Sequence, residues 1–165
     1  MNALLVPIDG SECSLHALDV ATDLATRLGL DIELCHIVDL GKAAAMSGAE
    51  PLLLSGCYEE LQSEGALIID DATKRVGGKV RVSSHSATGA PIARIIQLED
   101  ELKPFMVVIG SHGRSGIKRL LIGSVAEGVS RGSSVPVLIV PAPHRAQAAS
   151  ARSPRTAPYR VSARQ

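Results

Sequence analysis

Val107 to Ser124 reads VVIGSHGRSGIKRLLIGS, and this stretch decides the architecture. An apolar run, Phe105 to Ile109, passes into glycines at Gly110, Gly113 and Gly116, and a second small pair, Gly123-Ser124, opens a segment of helical periodicity. The order is strand, loop, helix start. A strand delivers its loop to one edge of a sheet, where backbone without side chains approaches a ligand closely and presents N–H groups to an anion. The helix beyond adds unpaired N–H groups and the positive end of its dipole. The stretch therefore reads as a phosphate cradle. It is not a P-loop, because no Gly-Lys-Ser/Thr follows, and not a dinucleotide fingerprint, because Gly-x-Gly-x-x-Gly is absent. Glycines in this number also suit tight turns, so the surrounding chain supplies the context.

Outward from this stretch, strand and helix signals alternate. Downstream, Ser124 to Ser130 has helical spacing and Val135 to Val140 is an apolar run of strand length. Upstream, Gly89-Ala90-Pro91 introduces a helix, with Pro91 in the favoured first turn and Ile92, Ile95, Ile96 and Leu98 supplying apolar surface as far as Leu102. Lys79 to Ser86 reads KVRVSSHS, whose alternation predicts a half-exposed edge strand. Glu59 to Val76 predicts a helix closed by Gly77-Gly78. Between Asp39 and Cys57 the pattern lapses into a Gly, Ala and Ser-rich connector around Pro51, a length that fits a loop or a lid. At the N-terminus, Asp31 to Val38 predicts a strand, and Ser11 to Leu28 a helix with Ser11 as N-cap and Gly29 as stop. Ala3 to Ile8 predicts a strand buried on both faces, and Asp9 stands at its carboxyl end. Five strands alternating with helices predict an α/β fold: an open parallel five-stranded doubly wound sheet with helices on both faces. Such sheets bind ligands beyond the carboxyl ends of their strands, where strand order reverses.

Gly110-x2-Gly113-x9-Gly123-Ser124, preceded by Val107-Val108-Ile109 and followed by Val135 to Val140, resembles the signature of the universal stress protein family. Val6-Pro7-Ile8-Asp9-Gly10-Ser11 resembles the start of the same family, and the likeness runs from Leu4 to Val140. It implies strand order 3-2-1-4-5, which sets Asp9 and the glycine loop across one crevice. A carboxylate is a poor neighbour for phosphate but a good acceptor for ribose hydroxyls or the adenine amino group, so Asp9 belongs at the nucleoside end. The resemblance further implies the ATP-binding branch, with Pro7, Ile8 and Val38 lining the adenine and Gly110, Gly113, Arg114, Gly123, Ser124 and Val125 around ribose and phosphates. Mg²⁺ bridging the phosphates and a homodimer formed through the Val135–Val140 strands belong to the same implication. Lys103-Pro104-Phe105 departs from the family, which usually has an acidic residue before this strand. The residues leave plainer roles open as well. Asp9 and Ser124 suit helix caps, Arg114 and Lys118 suit solvated flanking charges, and His112 suits an ordinary loop position without a catalytic partner.

The bulk numbers set the remaining bounds. A chain of 165 residues is one domain in length, and 45% hydrophobic residues with one Phe, two Tyr and no Trp make its core aliphatic. Cys13, Cys35 and Cys57 form no C-x-x-C pair, and His16, His36 and His85 lack metal-ligand spacing, which argues against a disulfide framework or a zinc site. No basic segment leading into a long apolar run opens the chain, and no apolar run spans a membrane, so a soluble, unprocessed, cytoplasmic protein is expected. All 17 acids lie at or before Glu127, whereas five of the 17 basic residues, Arg145, Arg152, Arg155, Arg160 and Arg164, fall in an acid-free tail. Residues 1–141 then form the nucleotide-binding domain, and 142–165 an Arg, Pro, Ser and Ala-rich extension of disordered composition, solubilising or docked on the acidic body. Five scattered arginines without interleaved aromatics make nucleic acid a poor partner. Functionally, a nucleotide-dependent stress-response regulator leads, against a slow ATPase or nucleotidyl-transfer enzyme in the same crevice and an interaction scaffold that binds no nucleotide.

Overall fold

A computed structural model describes residues 2–39, 41, 55–113 and 122–143, with backbone alone for 55–58. Its elements are β1 (Ala3–Pro7), α1 (Glu12–Leu28), β2 (Asp31–Val38), α2 (Ser55–Val76), β3 (Val82–Thr88), α3 (Pro91–Leu102), β4 (Met106–Gly110), α4 (Ser124–Gly132) and β5 (Val137–Val140). All strand pairs are parallel, in the order β3-β2-β1-β4-β5.

Side-chain alternation in the central strands explains the two covering layers. Leu4, Val6 and Val108 face α1 and α2, where they join Ala17, Leu18, Ala21 and Ala25 in one core cluster. Leu5, Val107 and Ile109 point the other way and pack with Ile95, Ala126 and Val129 of α3 and α4. A strand buried on both faces has no polar side to show, which is why these runs read as continuously apolar. Helix ends follow local chemistry. The Ser11 side chain accepts the Ser14 N–H at 3.2 Å, and Gly29 closes α1 in the left-handed conformation at φ 68°.

Several borders differ from the sequence reading, three of them at the start of an element by two residues or more. β3 begins at Val82 rather than Lys79, because Gly77 and Gly78 both take left-handed φ, 65° and 71°, and the turn they make consumes the residues before the strand pairs. Helix α2 starts at Ser55, inside the stretch read as connector, while 42–54 lies outside the described residues. β5 starts at Val137 rather than Val135, because Val135 N–H donates to Ser133 Oγ in the preceding turn.

That turn is held by a buried carboxylate. Glu99 of α3 is 1% exposed and accepts Ser133 Oγ–H at 2.6 Å, Ser134 N–H at 2.7 Å and Ser134 Oγ–H at 2.7 Å. Burial by itself would raise this carboxyl, but the hydrogen bonds from Ser133 and Ser134 outweigh it and hold the group below the usual carboxylate range. A lowered folded-state value contributes stability that is complete above the unfolded carboxyl range and disappears as pH falls through the folded value. In denaturant unfolding, Glu99→Gln is therefore expected to cost about 1–3 kcal/mol at neutral pH, with the difference from the native chain narrowing as the solution is acidified. A constant difference across acid pH would reject this account of Glu99.

Candidate functional site

All five strands point their carboxyl ends to one edge, and β1 lies between β2 and β4, so the chain leaves β1 and β4 toward opposite faces. The resulting crevice has a volume of about 1180 Å³. Pro7, Ile8 and Asp9 at the end of β1 and Val38 at the end of β2 form one side; Gly110 at the end of β4 and Gly113 beyond it, with Gly123, Ser124 and Val125 at the start of α4, form the other. Arg114 and Lys118 lie outside the described residues.

Contact between the two sides is close. A Cβ at Gly113 would stand 2.6 Å from Asp9 Oδ2, so only glycine lets the loop meet this carboxylate as it lies. Asp9 Oδ1 accepts the Ser11 N–H at 3.0 Å, which fixes the carboxylate at the mouth of α1. The N-cap itself is Ser11, so Asp9 orders the turn before the helix while also facing the glycine loop. A Cβ at Gly110 would come within 2.9 Å of the Cys13 carbonyl carbon and oxygen; this glycine lets the end of β4 press against the first turn of α1. Gly123 donates its N–H to Ser111 O at 2.7 Å and is the N-cap of α4, with no side-chain capping bond. Ser124 is thus the first helical residue rather than a cap, and the leading N–H groups of α4 open toward the crevice without a side-chain cap among the described residues.

The rest of the wall comes from residues that sequence reasoning left out. Glu60, Leu61 and Glu64 of α2 and Pro91 and Ile92 of α3 extend the crevice past β2, and Asp39 continues it beyond Val38. Charged positions on a helix normally read as solvated, so nothing in the sequence marked Glu60 or Glu64. His36, noted in the sequence only for its lack of metal-ligand spacing, is a buried β2 residue that also lines the crevice. Its Nδ1 lies 2.8 Å from Ile8 O; a carbonyl only accepts, so Nδ1 carries the proton and donates. Helix α2 crosses this ring through Gly65, where a Cβ would stand 2.7 Å from His36 Cδ2. On the opposite side, Ser111 Oγ lies 2.9 Å from His112 Nδ1 and 3.7 Å from Cys13 Sγ. Burial pushes the Cys35 thiol on the crevice wall up to about 12, so it remains protonated at neutral pH.

Among the described residues that line the crevice there are four carboxylates, Asp9, Asp39, Glu60 and Glu64, and no lysine or arginine. No group of three or more His, Cys, Asp or Glu among the described residues could hold a metal ion. No helix of the described residues is long and apolar enough to cross a membrane.

The model of the Universal stress protein family matches residues 1–141. The chain belongs to this family. Universal stress protein YxiE of Bacillus subtilis (strain 168) is 32% identical over 145 residues, a match covering 84% of this chain and 98% of YxiE. Among solved structures, hypothetical protein MJ0577 superposes with a TM-score of 0.76 at 24% identity, covering 87% of this chain and 97% of its own, a likeness of fold. A universal stress protein crystallised in complex with cAMP is 26% identical with a TM-score of 0.61, covering 86% of this chain and 98% of its own. The parallel order 3-2-1-4-5 expected from the glycine signature is thus the order observed in this universal stress protein.

Because α2 rests on His36 through Gly65, Gly65→Ala is expected to destabilise this universal stress protein by about 1–3 kcal/mol, the range for overpacking. In a His36→Ala background the same change should cost close to nothing, which a double-mutant cycle by denaturant unfolding reads directly. Additive costs would show that the close approach does not constrain the helix.

Proposed function

We propose that the crevice binds an adenine nucleotide, ATP with Mg²⁺, and that the chain works as a nucleotide-dependent regulator of the stress response. The reading rests on one observation above the others: a carboxylate, Asp9, and the loop bounded by Gly110 and Gly113 meet in a crevice that also receives the N-terminus of α4, which has no side-chain cap among the described residues. A helix N-terminus favours negative charge, so phosphates belong at Gly123, Ser124 and Val125. The carboxylate of Asp9 only accepts hydrogen bonds, which suits ribose hydroxyls or the adenine amino group. Pro7, Ile8 and Val38 supply apolar surface for the base. Arg114, next to Gly113, is assigned to the phosphates by the family pattern. The cAMP complex of a 26% identical relative supports an adenine nucleotide as the class of ligand.

Charge bears on the metal. A triphosphate beside the Asp9 carboxylate carries like charge, which a divalent cation offsets. Mg²⁺ enters this proposal with the phosphates of the nucleotide. When bound there, Mg²⁺ would offset phosphate charge. Asp9 would hold the nucleoside end, and the α4 N–H groups would orient the phosphates.

A cytoplasmic homodimer completes the proposal. β5 is a sheet edge with Val137, Leu138 and Ile139 only partly buried, and a second copy laid along it would cover an edge otherwise open to unwanted pairing.

The test is to denature freshly purified protein, identify released nucleotide by chromatography, and titrate the stripped protein with ATP in the presence and absence of Mg²⁺. Released adenine nucleotide, or binding that strengthens with Mg²⁺ and falls about tenfold or more in Gly113→Val, is expected. No released nucleotide and no binding at millimolar Mg-ATP would overturn the reading.

A further inference from the structure

Away from the crevice, the outer face of α1 carries a second concavity, of about 390 Å³, lined by Glu12, Leu15, His16, Asp19, Arg75 and Pro143. Its position relative to the chain ends is informative. Pro143 follows β5 by three residues and is half-buried, so the chain leaves the sheet across α1. Everything after it, residues 144–165, contains five arginines and no acid.

The face it meets has the opposite composition. Glu12, His16, Asp19 and Asp23 follow one another at intervals of four, three and four, so they form a single stripe along α1. Asp19 is engaged by Arg75, with Nε and Nη2 at 2.7 Å from its two oxygens, and this guanidinium holds its carboxyl below the usual range although burial opposes it. Glu12 and Asp23 are exposed and have no ion pair among the described residues. The stripe therefore offers two unused carboxylates, one on either side of an occupied one.

We infer that the C-terminal segment, from Arg145 onward, docks in cis along this stripe of α1, with its arginines on Glu12 and Asp23. Reach permits it. Arg145 is two residues beyond Pro143, so its Cα lies within about 7 Å of a residue that already lines the concavity. Glu12 and Asp23 are eleven residues apart on a helix, about 16 Å. Arg145 and Arg152 are seven residues apart and span at most about 25 Å when extended, enough to engage both carboxylates at once. Leu15 supplies apolar floor for the aliphatic stem of an arginine between them. The inference is independent of what the crevice binds, because it uses the face of α1 turned away from the glycine loop.

The experiment compares amide proton–nitrogen correlation spectra of the full chain and of a full-length Arg145→Glu/Arg152→Glu/Arg155→Glu variant, at about 50 mM and about 500 mM salt, since exposed charge pairs weaken as screening shortens. Differences between the two chains are expected at residues 12–23 and Arg75 in low salt and are expected to vanish in high salt. Combining the tail reversals with Glu12→Lys and Asp23→Lys should restore the docked pattern of shifts in the tail. Identical α1 spectra for the two chains would overturn the inference. So would differences centred on Asp9, Gly110 and Gly113, which would put the tail over the crevice, or differences that grow with protein concentration, which would put it on a second molecule.

Discussion

The parallel pairing of β1 with β4 is the constraint on which the rest depends. It joins residues more than a hundred positions apart in sequence, Leu4 with Met106 and Leu5 with Val107, and by doing so brings the ends of both strands out side by side. Asp9 and Gly113 then have no choice but to meet, so closely that a side chain at the second position would displace the Asp9 carboxylate. Non-local parallel pairing carries a loop-closure cost that only burial offsets. The burial is supplied by Leu4, Leu5, Val6, Val107 and Val108, all wholly inaccessible to solvent. The geometry of the crevice is in this sense a by-product of the two-sided core.

The same core explains how the outer strands are fixed. β3 and β5 have one neighbour each, and side-chain anchors add to the ladder in setting their positions. On one edge, His85 Nε2 of β3 lies 2.8 Å from Glu33 Oε2 of β2. On the other, Glu99 gathers the Ser133–Ser134 turn and so sets where β5 begins. Between them, Gly128 leaves room on α4 for the Ile92 side chain of α3, which brings the two helices together on that face.

Much of this was legible in the sequence, for a definable reason. Apolar runs of strand length, separated by helical spacing and ended by Gly29, Gly77-Gly78 and Pro91, are local signals, and local signals gave the element order and hence the sheet. Asp9 and the glycines were legible because each follows its strand directly, and a parallel sheet sends every such position to the same edge. What escaped was set by packing between elements. Gly65 inside α2 carries no message until His36 is known to lie beneath it. Glu60 and Glu64 look like any solvated helix face until α2 closes over the crevice. The first residue of β3 depended on two consecutive left-handed glycines rather than on alternation. Glu99 did leave a trace: it falls at helical spacing with Ile92, Ile95, Ile96 and Leu102, a charge on an apolar stripe, and such a charge needs dedicated partners once buried.

The crevice is shaped at Gly110, Gly113 and Gly123 by atoms that are missing, since a single added carbon at each would press on Cys13, Asp9 or Ser111. This inverts the usual logic of functional mapping. Alanine scanning finds important residues by subtraction, yet at these three positions alanine is the smallest possible addition, and the damage comes from what is put in. Genetic drift at the site is correspondingly asymmetric: any chiral residue encroaches on a neighbour, and no side chain elsewhere can be trimmed to give back all three spaces.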